Sequence, residues 1–257
     1  KDIFIKNNNI NITGGADKTY KGIDNQTGGG TNSTVDISKN SIIVNIPSSI
    51  STVSGSVTGI VSSTGTNTVT TININGNSFK NSGLSGQGAW TGIYNKSNSI
   101  STGTIQMNNN IIDSNSVAST GTFVGLQSDA AAYSKLYING NRIANNNKLN
   151  TSAILNWIYQ NSASTNSGDL FIEGNILDKD TVTITSANSN SPSVYGVRIT
   201  GAKTGAVINI DNNTISRQFV KDINGANSVT LRAYHSAMIT GQSPTENIYN
   251  NKISNLY

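Results

Sequence analysis

The sequence predicts an all-β solenoid, a parallel β-helix of about eight coils, from one motif that recurs along nearly the whole chain. In the copy at 136–143, LYINGNRI, apolar residues lie five and three positions before a central asparagine and two positions after it. The central asparagine recurs eight times, as Asn8, Asn40, Asn77, Asn110, Asn141, Asn175, Asn213 and Asn251. Only Glu246, in the last copy, departs from the apolar pattern. A motif that returns at fixed offsets identifies a repeat protein.

Each copy of the motif has the pattern of a strand that ends in a sharp bend. The apolar residues at offsets −5 and −3 from the central asparagine alternate with the period of a strand that buries one face. The residue at −1 is Gly, Asn or Lys, and Gly and Asn adopt a positive φ more easily than other residues. The apolar residue at +2 then returns to the core. Because successive strands stack about 4.8 Å apart, eight coils would form a rod of roughly 40 Å.

The eight central asparagines are predicted to form a buried ladder at this bend. Equivalent residues of successive coils stack in a column, so each side-chain amide can donate a hydrogen bond to the next amide in the column. It can also bond backbone groups of the bend that the strands leave without partners. Since a buried polar group without a partner costs roughly 1–3 kcal/mol, the role of these residues is predicted to be structural.

A second motif, apolar-x-Gly-apolar, predicts another strand in each coil. It occurs at 20–23, 57–60, 90–93, 123–126 and 194–197. In the fifth coil the segment 154–157, ILNW, is assigned to this place, and in the seventh the looser 234–237, YHSA. Trp90 and Trp157 are interpreted as core residues. No helical periodicity of useful length occurs.

Composition narrows the class of protein further. The motif spans the sequence without a boundary, which predicts one β-helix domain over 1–257, excised from a longer chain. A net charge of +4 without a basic run argues against nucleic-acid binding. No segment approaches the 18 consecutive apolar residues of a membrane-spanning helix. There is no cysteine and hence no disulfide framework.

Residues that could carry chemistry are few and dispersed. His235 is the single histidine and has no cysteine or second histidine to share a metal with. The 13 acidic residues are scattered over the coils, and the nearest pair, Asp178 and Asp180, lies just after a bend. We therefore expect no catalytic residue, metal site or cofactor.

One constellation of side chains predicts a ligand site. At offset −2, which faces outward, Glu173 and Asp211 fall in one column on neighbouring coils, close to the carboxylate separation of a retaining glycosidase. At offset −4, Tyr137 and Phe171 form an outward aromatic pair on neighbouring coils. Rings and carboxylates together could hold a sugar. The alternative is a solvated or loop-covered surface.

The asparagine-bearing bends resemble those of right-handed parallel β-helix proteins. The Asn-, Ser-, Thr- and Gly-rich, cysteine-free repeats are most similar to the passenger segments of autotransporter-type adhesins. That resemblance implies a secreted or bacterial cell-surface protein that attaches to a host or bacterial surface glycan or protein, or self-associates, without catalysis. The alternative is a polysaccharide-binding or polysaccharide-degrading β-helix enzyme: a lyase, a glycosidase or a tailspike-like depolymerase. The resemblance implies that such enzymes cluster several Asp around a cleft, a signature this sequence lacks. A passive stalk is a third possibility.

Overall fold

The computed structural model shows a parallel β-solenoid built from three sheets. The described residues form strands and turns but no helix. No membrane-spanning helix is therefore found among them. The structure describes residues 2–14, 18–26, 30–46, 55–63, 69–86, 88–149, 154–162, 166–184, 192–202, 204–223, 228–238 and 241–257. The predicted all-β fold is confirmed.

Sheet 1 contains the part of each motif that precedes the central asparagine. Its neighbouring strands are parallel and in register, so that Ile5, Ile37 and Ile74 stack in one column, as the repeat predicts. The residues at −5 and −3 point into the core in the interior coils. Its eight strands, in order, are Ile3–Lys6, Ser33–Ser38, Val69–Asn75, Ser99–Gln106, Ala132–Tyr137, Asn166–Glu173, Val207–Asp211 and Thr245–Tyr249.

The bend after sheet 1 has the predicted backbone geometry in all eight copies. The residue at −1 has a φ between 53° and 64° in each of them: Asn7, Lys39, Gly76, Asn109, Gly140, Gly174, Asn212 and Asn250. This left-handed region is costly for most residues and cheapest for Gly and Asn. The recurring Gly/Asn choice at −1 therefore encodes the corner of the coil.

Sheet 2 follows the bend and carries the apolar residue at +2. Its strands are Asn9–Thr13, Ser41–Ile46, Ser78–Lys80, Ile111–Asp113, Arg142–Ala144, Ile176–Asp178, Thr214–Asp222 and Lys252–Leu256. In four coils a further strand continues it after a second bend, at Gly83–Gly86, Ser116–Ser119, Asn147–Leu149 and Thr181–Ile184. The second bend again has a positive φ, at Asn81, Ser114, Asn145, Lys179 and Arg217.

Sheet 3 contains the glycine motif. Its strands are Tyr20–Asn25, Val57–Ser62, Trp90–Asn95, Phe123–Ser128, Ile154–Asn161, Ser193–Thr200 and Thr230–Ser236. The glycine is required by close packing, because a Cβ on Gly92 would lie 2.6 Å from the carbonyl oxygen of Gly125. Trp90 and Trp157 are 0% and 1% exposed, so the prediction that they belong to the core is confirmed.

The register of sheet 3 corrects two sequence assignments. Leu155 pairs with Phe123, so the fifth-coil segment is 155–158 rather than 154–157, and Trp157 takes the glycine position. In the seventh coil, Leu231 pairs with Val194, so the segment is 231–234 rather than 234–237, and Ala233 takes that position. Both assignments failed because the glycine that marks the motif is replaced.

The number of complete turns is slightly below the eight predicted. Sheet 1 has eight strands, but sheet 3 has seven, because the last coil contributes no strand to it within the described residues. The end coils are also partly open to solvent: the inward-facing Ile5 is only half-buried at one end, and Ile253 is 51% exposed at the other. Six coils therefore have a neighbour on both sides.

The predicted asparagine ladder is present along the full stack. Each Nδ2 donates to the Oδ1 of the next asparagine at 2.9–3.1 Å, from Asn8 to Asn251. The same Oδ1 accepts the backbone N–H of the preceding asparagine in the column. The second Nδ2 hydrogen of Asn141 bonds the Met107 carbonyl at 2.8 Å. In the interior coils the asparagines are at most 2% exposed.

A second polar ladder lies five residues after the first, at the second bend. Asn115 and Asn146 donate through Nδ2 to the next side-chain oxygen in the column, at 2.8 and 2.9 Å. The acceptor of the Asn146 hydrogen bond is Asp180 Oδ1. Asp180 Oδ2 accepts a hydrogen bond from Gln218 Nε2 at 3.2 Å. Burial raises the pKa of Asp180 to about 7, so this carboxyl is partly protonated near neutral pH. Asp178 and Asp180 therefore do not form one acidic site, because Asp180 is directed into the core.

Candidate functional site

The outer face of sheet 1 brings the four sequence-predicted site residues into neighbouring columns. The −5 and −3 side chains point inward, so alternation directs the −4 and −2 side chains outward. Tyr137 pairs in register with Phe171, and Glu173 pairs with Asp211. Glu173 lies two residues after Phe171 on the same strand. The two pairs therefore adjoin on one surface.

The aromatic pair is stacked. The ring centroids of Tyr137 and Phe171 are 4.8 Å apart, and the planes are inclined by 17°. Both side chains are half-buried, so part of each remains accessible. The loop expected to cover them in the alternative interpretation, between Asn175 and Asn213, includes residues 185–191, which lie outside the described residues.

The carboxylates of Glu173 and Asp211 lie on adjacent strands, so their negative charges repel each other. Burial raises the pKa of Glu173, and the negative charge of Asp211 raises it further. Asp211 is only 9% exposed and accepts a hydrogen bond from Asn212 Nδ2 at 2.8 Å through Oδ2. Its Oδ1 is buried without a hydrogen-bond partner among the described residues.

The neighbouring coil holds Glu173 in place. Its backbone N–H donates to Asn139 Oδ1 at 3.1 Å, and Asn139 Nδ2 donates to Glu173 Oε2 at 3.4 Å. The same −2 column supplies Asn75 and Asn108, whose side-chain oxygens accept the backbone N–H of the next coil at 2.8 and 2.9 Å. The asparagine side chains of the −2 column thus join neighbouring coils on the outer face of sheet 1, beside the carboxylates.

Tyr249 is a further residue of this surface that the sequence interpretation missed. It lies at −2 in the last copy and pairs with Asp211. Its pKa is raised by the negative charge of Asp211, with smaller contributions from partial desolvation and a hydrogen bond to that carboxylate. Reading the −2 column to its end would have found it.

A groove extends the same face toward the first coils. It encloses about 450 Å³. Its walls include Lys6, Asp36, Ser38, Asn73, Asn75 and Asn109. Lys6 Nζ lies 2.5 Å from Asp36 Oδ2, so the groove contains an ion pair. The outer face of sheet 1 is thus polar at one end and aromatic and acidic at the other.

The remaining acids do not assemble into a second acidic site. Asp113 pairs with Arg142 at 3.1 Å, and Asp178 pairs with Arg217. Within the described ranges, no three His, Cys, Asp or Glu side chains lie close enough together to hold a metal ion.

Comparison with protein-family models, with curated proteins and with solved structures gives no match. The surface chemistry of the solenoid is therefore what points to a function.

Proposed function

We propose that the protein is an attachment module that binds a surface saccharide along the outer face of sheet 1. The observation that carries this proposal is the stacked, half-buried pair Tyr137 and Phe171 beside the carboxylates of Glu173 and Asp211. The resemblance to adhesin passenger segments favours a secreted or bacterial cell-surface setting for such a module.

The chemistry of the surface suits a sugar. Aromatic rings gain free energy when a partner covers their exposed area, and a few such rings often carry much of a binding energy. Saccharide hydroxyls are donors, and the carboxylates of Glu173 and Asp211, paired on adjacent strands, are acceptors. The polar groove on the same face could contact further sugar units of a chain.

The double variant Tyr137→Ser/Phe171→Ser is expected to weaken saccharide binding about tenfold or more, because both ring contacts are lost. Binding is measured on an array of host and bacterial glycans and polysaccharides, and the thermal midpoint is recorded for the same preparation. Phe219→Ser is the matched control, since Phe219 is an exposed aromatic residue on sheet 2, away from this face. Unchanged binding together with a sharp fall in the thermal midpoint would show that the rings are core residues and that no such site exists.

Self-association through the same face is the second attachment mode. A pair of half-buried aromatic side chains could equally be covered by another copy of the chain. Sedimentation of wild type and of the double variant separates the two modes, because only self-association would make the molecular mass depend on concentration.

The carboxylate pair also raises the possibility of polysaccharide cleavage. A pair of acids in which one has a raised pKa is the arrangement that glycoside hydrolases use for acid and nucleophile. In this protein, no further acidic side chain of the described residues joins the pair, whereas the β-helix enzymes it resembles cluster several Asp around a cleft. We propose binding without cleavage.

Incubation with pectins, alginates, host glycans and capsular polysaccharides is therefore expected to release no product, with or without Ca²⁺. Reducing ends and unsaturated products are measured for wild type, Glu173→Gln and Asp211→Asn. Product formation by wild type that disappears in either variant would replace the attachment proposal with an enzymatic one.

A further inference from the structure

The outer face of sheet 3 carries a cluster of cationic and aromatic side chains in the last three coils of that sheet. Two outward columns contribute to it. One contains Tyr195 and Arg232, and the other contains Tyr159, Arg198 and His235. Here these five residues are called the sheet 3 cluster. It lies on a different sheet from the candidate saccharide site.

The rings of the sheet 3 cluster hold its cations in place. The Arg198 guanidinium carbon lies 5.0 Å from the ring centroid of Tyr159 and 5.1 Å from that of Tyr195. Arg232 lies 6.0 Å from the Tyr195 ring. His235 stacks on Tyr195 with centroids 4.8 Å apart. Cation–π contacts of this kind fix the position of a guanidinium and leave its charge uncompensated.

Among the described residues, no acidic side chain forms an ion pair with the sheet 3 cluster. The ion pairs among the described residues use Lys6, Lys21, Arg142 and Arg217. Neither Arg198 nor Arg232 contacts a carboxylate in that part of the chain. Burial lowers the pKa of His235, and the charges of Arg232 and Arg198 lower it further, so the two guanidinium charges act on the imidazole.

Polar groups of this region also lack partners. Arg198 Nε and His235 Nδ1 are buried without a hydrogen bond among the described residues. Buried polar groups in folded proteins are nearly always hydrogen-bonded. Arg198 and His235 therefore have nitrogen atoms without a hydrogen-bond partner beside the two guanidinium charges.

We propose that the sheet 3 cluster binds an oxyanion, a carboxylate or sulfate group carried by an acidic sugar. Guanidinium groups bind such oxyanions through paired N–H donors, and Arg198 and Arg232 lie on adjacent strands and approach the same ring, that of Tyr195. His235 supplies a third donor when its imidazole carries the proton at the nitrogen that faces the anion. Arg232 is exposed, so the cluster is open to solvent on that side.

The single histidine makes the test direct. His235 is the only histidine in the chain, so its imidazole Cε1–H signal in an NMR spectrum needs no assignment. That signal is followed at pH 7 and constant ionic strength while sodium glucuronate, sodium sulfate or neutral glucose is added. We expect a saturable shift with glucuronate, sulfate or both, and no shift with glucose. A response to glucuronate alone identifies a carboxylate site, and a response to sulfate alone identifies a sulfate site.

Arginine variants then locate the bound anion. Arg198→Gln/Arg232→Gln is expected to weaken the saturable response by about tenfold or more. The single variant Arg232→Gln, which alters an exposed side chain, should show a smaller loss in the same direction. Arg142→Gln is the matched control, because Arg142 pairs with Asp113 on sheet 2. The variant Tyr137→Ser/Phe171→Ser should leave the response unchanged, which separates this site from the saccharide site on sheet 1.

Two results would overturn the proposal. One is the absence of a saturable shift with either anion. The other is an equal response in wild type and in the folded arginine variants, which would show that the anions act through ionic strength or at another site.

Discussion

Asn141→Ala is expected to lower the free energy of unfolding by at least about 1–3 kcal/mol, the cost of one buried polar group left without a partner. Asn141 is 0% exposed and lies at the middle of the ladder. Its Oδ1 accepts from the backbone N–H and the Nδ2 of Asn110, at 2.8 and 3.1 Å. Its Nδ2 donates to Asn175 and to the Met107 carbonyl. Alanine removes all four bonds at once and fills none of the space.

Asn8→Ala provides the internal comparison. Asn8 is exposed on the first coil, and its side chain donates only to Asn40 Oδ1, at 2.9 Å. Water can replace that bond, so we expect only a small change in stability. Urea denaturation of both variants and of wild type measures the order of their stabilities. Equal midpoints for the three proteins would contradict a stabilising ladder.

The first ladder could be predicted from the sequence because one residue type occupies all eight positions. An asparagine at a bend that follows alternating apolar residues is recognisable from a single coil, and the stacking then follows from the repeat. Pairing in sheet 1 keeps the same offset from each asparagine, so Tyr137 and Phe171 were predicted correctly to be neighbours. Local pattern and long-range register agree in this part of the chain.

The second ladder was missed because different residue types share its role. Its column, five residues after the central asparagine, contains Ser82, Asn115, Asn146, Asp180 and Gln218. Four of them accept a hydrogen bond through a side-chain oxygen, and Gln218 donates to Asp180 through Nε2. A search by offset and by hydrogen-bonding capacity, instead of by residue identity, would have found this column.

The sheet 3 cluster could not be predicted from fixed offsets at all. The loops that lead into sheet 3 differ in length, so Leu155 follows Asn141 by 14 residues whereas Val194 follows Asn175 by 19. Leu155 and Val194 are nevertheless paired. Tyr195 and Arg232 become neighbours only once this register is known. Loop length is set by the path around the coil, and composition alone does not reveal it.

Lys148 is an interior cation that the repeat pattern does not explain. It occupies an inward column between Val117 and Val182 and is 0% exposed. Its Nζ donates to the carbonyl of Ser119, to Ser119 Oγ at 3.1 Å and to the carbonyl of Leu149 at 3.3 Å. These acceptors are neutral. Burial consequently lowers the pKa of Lys148 from 10.5 to about 7.

The pH dependence follows from the direction of that shift. Between pH 7 and 10.5 the unfolded chain binds the proton of Lys148 more tightly than the folded protein does, so the stability of the wild type rises with pH in this window. Below pH 7 the folded protein must bury an ammonium group. Because each pKa unit corresponds to about 1.4 kcal/mol, the cost of that charge is several kcal/mol.

Lys148→Met is therefore expected to stabilise the protein most at pH 6, by up to several kcal/mol, with a gain that diminishes toward pH 10. Methionine keeps the unbranched shape, and the loss of donors to Ser119 and Leu149 offsets part of the gain. Urea denaturation at each pH gives the difference in the free energy of unfolding between variant and wild type. The titration of Asp180 cancels in this difference, because both proteins contain that residue. Lys135→Met, at an exposed position of sheet 1, should show no such pH dependence. A Lys148→Met variant whose stability differs from wild type by the same amount at pH 6 and pH 10 would show that the amine does not carry a buried charge.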